Sequence, residues 1–249
     1  MAGKQGFIKT LAKASLGITG IRLLDPVEIF YIKESNLIIP IISKSACTTI
    51  KEGIIERYKP GFESKFPEIH KINPSKVTEG KVDRMFFYRF SHFEAFAKNK
   101  KVLLILREPA SRFISCYKDV TSGNNIMYEY PSGLYKWIKY EKNISFSEFS
   151  KRVYRTPDYL SDRHFRSQSF GLSKKLIDSL EEFDVSSVED FFSQSELLSK
   201  AYKEGRRVLN QSKGGNYDIP TLAELRESTP FKKRYALDLE LCEVHDIQS

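Results

Sequence analysis

The chain has 249 residues, 41% of them hydrophobic, and carries 40 Lys+Arg against 32 Asp+Glu for a formal net charge of +8. That size suits one well-buried domain and argues against a second full one, while three scattered cysteines, Cys47, Cys116 and Cys242, exclude a disulfide framework or a zinc motif and point to a reducing compartment. The basic balance directs attention to an anionic ligand or partner, although a merely soluble basic protein has the same composition.

The N-terminal stretch is broken by Lys9 and Lys13 and makes a poor signal peptide. On a helical wheel Phe7, Leu11, Ala14 and Ile18 share one face with the lysines opposite. Such a stripe packs on its own domain or makes a weak peripheral contact with a membrane surface. No apolar run is long enough to span a bilayer.

Three short strands are expected, "LIIPII" (37–42), "MFFY" (85–88) and "VLLIL" (102–106). The last is continuously apolar, as a strand covered on both faces should be. Pro40 is awkward in a central strand and suggests a bend there. Helical spacing follows the first strand at Ile50, Ile54, Ile55 and Tyr58, and the third at Ala110, Phe113, Ile114 and Tyr117, with Pro109 suited to a first turn. Strand–loop–helix units of this kind predict an α/β fold, a central parallel sheet flanked by helices with ligands at the carboxyl ends of the strands. The expected organisation is a single domain over 1–249, with an extension at 1–35, a nucleotide-binding core at 36–120 and a mainly helical half at 121–249. In that half "NQSKGGNYDIP" (210–220) reads as a long loop and "TLAELRESTPFKKRYALDLELCEV" (221–244) as a helix interrupted near Pro230.

Both strand ends carry groups that suit an anion. Lys44 lies just past the first strand. Thr48 and Thr49 fall at a helix start, where hydroxyls and unpaired backbone N–H groups grip oxygens. Lys51 sits near the first turn, where a cation opposes the helix dipole unless an anion is bound; alternatively it pairs with Glu52 or solvent. Arg107 ends the third strand, with Arg112 and Ser115 following on the polar side of the helix, a suitable phosphate clamp. The alternative there is an arginine that merely caps the sheet edge.

"PIISKSACTTIK" resembles the 5′-phosphosulfate loop of the carbohydrate sulfotransferases, PK-V-A-C-T-x-W-K, through Lys44, Ala46, Cys47, Thr48 and Lys51, with Ile50 in place of the tryptophan. "LREPASRFISCYKD" is similar to that family's 3′-phosphate motif, R-D-P-x-x-R-L-x-S-x-Y, with Glu108 for Asp. "DRHFRSQS" (162–169), "LNQSK" (209–213) and "RYALDLEL" (234–241) resemble its H-W-R-P-Q, N-x-S and Y-x-x-D-x-E-x-F segments, the last departing at Leu241-Cys242 where the family has Phe-Gly. The resemblance implies a P-loop-like sheet and a donor, 3′-phosphoadenosine 5′-phosphosulfate (PAPS), held without metal. It implies Lys44, Ser45, Ala46, Cys47, Thr48, Thr49 and Lys51 at the 5′ end and Arg107, Arg112 and Ser115 at the 3′-phosphate. Asn210, Ser212 and Lys213 would close over the nucleotide; an ordinary polar turn is the alternative. His164, Arg166 and Gln168 would shape the acceptor cleft.

Sulfuryl transfer needs stabilisation of the leaving phosphate and a base for the acceptor hydroxyl. Lys44, placed before the loop, can reach the bridging oxygen between phosphate and sulfate. For the base, Ser91 and Glu94 fit a capping box that puts His92 in the first turn of a helix, where imidazolium is disfavoured. Some enzymes of the resembled family use a histidine between the two nucleotide motifs, which favours His92, with Glu94 as second choice. His70 and His245 have no supporting context in the sequence.

The expectation is a cytoplasmic bacterial enzyme, at most touching the membrane surface, that sulfates a glycan or glycolipid acceptor in polysaccharide biosynthesis and has no nucleic-acid partner. Two rivals stand beside it. A metal-dependent nucleotide or small-molecule kinase lacks the expected G-x-x-x-x-G-K-[ST]. A non-catalytic binder of RNA or acidic glycan explains the charge but not the strand-end placement of Lys44 and Arg107.

Overall fold

The computed structural model describes residues 26–62, 68–122, 144–158, 161, 163–170, 172, 174–180, 182–194, 198 and 218–247. The N-terminal stripe at Phe7–Ile18 lies outside them. The fold is mixed α/β. Its strands are β1 (Val27–Ile32), β2 (Leu37–Pro40), β3 (Val82–Phe87), β4 (Lys101–Leu106) and β5 (Glu182–Ser187). Helices α1 (Cys47–Tyr58), α2 (Pro74–Val77), α3 (Phe90–Ala97) and α4 (Pro109–Ser122) are interleaved with the first four strands. Helices α5 (Phe146–Arg155), α6 (Lys174–Ser179), α7 (Val188–Gln194), α8 (Leu222–Glu227), α9 (Thr229–Arg234) and α10 (Ala236–Val244) follow.

The five strands form one sheet in the order β3-β1-β2-β4-β5. β1 runs antiparallel to both neighbours, with Ile29 opposite Pro40 and Val27 opposite Phe87. β2, β4 and β5 are parallel, so the carboxyl ends of β2, β3, β4 and β5 all emerge at one end of the sheet. The sheet is therefore mixed, not wholly parallel as the sequence suggests. β1 also lies inside the stretch assigned to an N-terminal extension, and β5 inside the half expected to be helical. Pro40 is accommodated because it is the last residue of β2, where the ladder ends.

Alternation along the strands sends side chains to two opposite faces. Phe30, Ile39 and Ile105 pack with Ile50, Ile54 and Ile55 of α1 and Phe191 and Phe192 of α7. Ile29, Ile38, Leu104 and Leu106 pack on the other side with Phe93 of α3, Leu176 of α6 and Leu241 of α10. A third, aromatic-rich cluster joins Phe113 and Tyr117 of α4 to Phe146 and Phe149 of α5, Phe231 of α9 and Tyr235. The stretch around Pro230 is three short helices, not one interrupted helix. Pro230 occupies the first turn of α9, where its missing N–H has no partner to lose.

Candidate active site

The glycine-free loop between β2 and α1 turns by placing two ordinary residues in left-handed backbone, Lys44 at φ 67° and Ala46 at φ 52°. Each costs roughly 1–2 kcal/mol in an L-residue, and left-handed residues at alternate positions are the kind of turn that can shape an anion-binding nest at a helix start. Ala46 caps α1 with no side-chain hydrogen bond, so the first-turn N–H groups are not claimed by a capping oxygen. Replacing Ala46 by glycine is expected to stabilise the folded chain by about 0.5–1 kcal/mol. A rise in thermal midpoint checks this; a fall would show that the methyl group packs usefully.

Lys44 and Arg107 stand at the tips of adjacent strands, and Arg107 Nη1 lies 3.5 Å from the Lys44 carbonyl oxygen. Arg107 Nη2 donates to Ser111 Oγ at 3.1 Å, while the Lys44 ammonium pairs with the Asp119 carboxylate. Ser111, Ser115 and Asp119 are spaced by four on α4 and so line one stripe of it. Half-buried Ser115 thus lies between the partners of the two cations. Burial pushes Lys44 below the ordinary lysine value, with Arg107 and Arg112 adding to the effect. Burial lowers Arg107 as well. Two cations, Lys44 and Arg107, held close together and partly out of water fit an anionic ligand with separated charges.

The loops are stitched from behind. Gln168 Oε1 accepts from Ser45 Oγ at 2.6 Å and from the Arg107 N–H at 3.1 Å, and its Nε2 donates to the Arg107 carbonyl at 2.7 Å. Arg112 donates to the carbonyls of Ser43, Arg166 and Arg163 at 3.0, 2.8 and 3.1 Å. Fully buried Asp238 accepts the N–H groups of Gln168 and Ser169 at 2.7 and 2.8 Å, and Tyr235 donates its hydroxyl to the Phe165 carbonyl at 2.5 Å. Glu108 caps α4 through the N–H groups of Ala110 and Ser111.

Two residues expected on the ligand are thereby placed elsewhere. Arg112 is 2% exposed and its guanidinium is directed at three carbonyls. Gln168 is buried and its amide is spent bracing the two loops, although the residue also lines the small cavity beside the 163–170 segment. Lys51 departs too. It is 1% exposed and its ammonium meets Glu28 Oε1 at 2.5 Å, because Lys51, the fifth residue of α1, faces the start of β1. Burial alone would raise the Glu28 carboxyl, but Lys51 and Arg84 outweigh it and hold it below the ordinary carboxylate value. That pair therefore stabilises the fold above the unfolded carboxylate pKa and stops doing so as pH falls through the lower folded value.

A family model described as "Sulfotransferase family" matches residues 27–205, well over half of the chain. The chain belongs to the sulfotransferase family. No curated protein and no solved structure matches it.

In this sulfotransferase Ser45 and Thr48 are buried, and Cys47 is a free thiol of intermediate exposure. Thr49 is buried as well. His92 and Glu94 are exposed on α3. The expected Ser91–Glu94 capping box does not form: Arg89 is the N-cap and α3 starts at Phe90, two residues earlier than a Ser91 cap allows. His92 nevertheless lies in the first turn, at the same end of the sheet as Lys44. β1 separates β3 from β2, a lateral offset of roughly 10 Å over two inter-strand spacings.

The 163–170 segment borders both regions. Arg166 stacks over the Phe170 ring at 4.8 Å, and Phe170 meets Phe90 edge-on at 5.6 Å. A cavity of about 50 Å³ opens there between Glu28, Ile42 and Ser43 on one side and Arg163, Arg166 and Phe170 on the other. His164 is half-buried and its carbonyl accepts from Cys116 Sγ at 2.7 Å. Asn210, Ser212 and Lys213 lie outside the described residues. Among the described residues no helix is long and apolar enough to cross a membrane.

Sequence reasoning missed Asp119 and His70. His70 lies in a 3₁₀ turn, Glu68–His70, and its ring reaches back to α1, 3.5 Å from Thr48 Oγ1 and 3.2 Å from Lys51 Nζ. Burial, aided by Lys51, pushes its imidazole down to about 4. No local pattern signals either contact. The Asp119 spacing from Ser111 and Ser115 is visible in the sequence only to a reader already looking for a stripe on α4.

Proposed function

We propose that the chain transfers a sulfuryl group from 3′-phosphoadenosine 5′-phosphosulfate to a hydroxyl of a carbohydrate or glycolipid acceptor. The observation that carries this reading is the juxtaposition of Lys44 and Arg107 on neighbouring strand tips, beside a nest that turns through left-handed Lys44 and Ala46. In a P-loop-like arrangement the nest and the α1 N-terminus take the 5′-phosphosulfate. Arg107 and Ser115 take the 3′-phosphate. Lys44 neutralises charge on the bridging oxygen as the sulfur–oxygen bond breaks. The acceptor lies toward α3 and the 163–170 segment, where Arg166 and His164 border its path. His92 removes the hydroxyl proton, and Glu94 is the second choice of base.

Calorimetry with adenosine 3′,5′-bisphosphate tests the donor assignment. Tight binding in the presence of a metal chelator is expected, and absence of binding at millimolar nucleotide would overturn it. Arg107→Ala should weaken this ligand about 10-fold or more, while leaving a 2′-phosphate or unphosphorylated analogue nearly unchanged. Equal losses for all three would remove Arg107 from the 3′-phosphate.

A further inference from the structure

His70 belongs to none of the motifs, yet its ring lies between Thr48 and Lys51 on one side of α1. Nδ1 is 3.2 Å from Lys51 Nζ and Nε2 is 3.5 Å from Thr48 Oγ1. An ammonium has only donors, so Nδ1 must be the nitrogen that accepts. In a neutral imidazole the hydrogen then sits on Nε2 and is directed at Thr48 Oγ1. A threonine hydroxyl that accepts on this side has its own hydrogen left to donate to an acceptor on another side. Thr48 is the second residue of α1, at the helix end that opens toward the nest.

The surroundings keep this arrangement in one protonation state. Lys51 of α1, Arg84 of β3 and Arg163 of the 163–170 segment all act against a positive imidazole; Glu28 of β1 is the opposing acid. Arg84 Nη1 fixes the turn itself by donating to the His70 carbonyl at 2.6 Å, and its Nε donates to Glu28 at 2.7 Å. Lys51 is in turn oriented by Glu28. The chain Arg84–Glu28–Lys51–His70–Thr48 therefore runs from the outermost strand β3 through β1 to the anion-binding helix end, each link setting the direction of the next.

We infer that His70 is a positioning residue that holds the Thr48 hydroxyl as a hydrogen-bond donor toward the 5′-phosphosulfate of the bound nucleotide. This rests on the donor assignment above, and its test has one arm that does not. Imidazole nitrogen NMR on the ligand-free chain should show the hydrogen of His70 on Nε2; a hydrogen on Nδ1 overturns the inference whatever the nucleotide does.

The second arm is a double-mutant cycle on affinity for adenosine 3′,5′-bisphosphate. Thr48→Val and His70→Phe should each weaken binding about 10-fold, the size of one charge-assisted hydrogen bond. The double variant should be no weaker than Thr48→Val alone, because His70 acts through that hydroxyl. Losses that multiply overturn the inference. His70→Gln keeps an amide N–H near the Nε2 position and should recover most of the affinity, and it serves where the phenylalanine variant does not fold. A glutamine chain as weak as Thr48→Val counts against the inference. A wild-type chain that ignores the nucleotide defeats the donor assignment, a result told apart from this one because the tautomer is read without ligand.

Discussion

Lys44→Ala is expected to lower turnover about 10²–10³-fold, the range seen when one group stabilising transition-state charge is removed. Affinity for adenosine 3′,5′-bisphosphate should fall far less. The asymmetry follows from what each part of Lys44 does. Its carbonyl, which faces Arg107 Nη1, and its left-handed backbone, which shapes the nest, survive the change, because alanine in that backbone is no easier to hold than lysine. Only the ammonium is lost. The lysine side chain is 12% exposed and its ammonium is paired with Asp119, so a bound donor must compete with a carboxylate for it.

The competition supplies a control. In Lys44→Ala the Asp119 carboxylate remains beside the anion site without its lysine, and part of any loss in affinity is repulsion between carboxylate and ligand. Adding Asp119→Asn should restore nucleotide affinity while leaving turnover low. Steady-state rates with labelled sulfate donor, measured beside calorimetry, separate the two effects. Turnover within threefold of wild type for Lys44→Ala would remove it from the leaving-group role. Recovery of turnover in the double variant would assign the whole defect to Asp119.

The parts of this site that were legible in the sequence are those set by local pattern. β4 is a short apolar run, α4 repeats apolar residues at helical spacing behind Pro109, and a basic residue at such a junction must stand at a strand tip. Lys44 and Arg107 are neighbours because β2 and β4 are neighbours. The features that stayed hidden depend on partners far along the chain. β1 contains Glu28, which reads as a surface residue until Lys51 and Arg84 are brought to it from α1 and β3. β5, "EFDVSS", is among the described residues a sheet-edge strand paired with β4 alone, with too few apolar residues to show a period. Gln168 and Arg112 meet carbonyls, a hydroxyl and a backbone N–H more than fifty positions away. A polar residue in a motif reads as a ligand contact by default, and only the fold shows which of them face inward. The late Tyr235 and Asp238 are of the same kind, since the residues that give this ending its resemblance hold the 163–170 segment in place.

Arg112→Ala is expected to destabilise the chain by about 3–5 kcal/mol, a fall of roughly 10 °C in thermal midpoint for a protein of this size. The guanidinium reaches three carbonyls in two segments, Ser43 on one side and Arg163 and Arg166 on the other. Alanine leaves all three without that donor and opens a cavity where a side chain 2% exposed had been. Arg112→Lys separates charge from geometry. An ammonium has the charge but not the planar fork, so it cannot serve carbonyls in three directions at once, and it should recover less than half of the loss. A phosphate clamp predicts the opposite pattern, with stability near wild type and nucleotide affinity sharply reduced. Denaturation curves beside nucleotide titrations decide between them. A midpoint within 2 °C of wild type in Arg112→Ala would return Arg112 to the ligand, and would mean that the segments around Ser43 and Arg163–Arg166 keep their places by Gln168, Asp238 and Tyr235 alone.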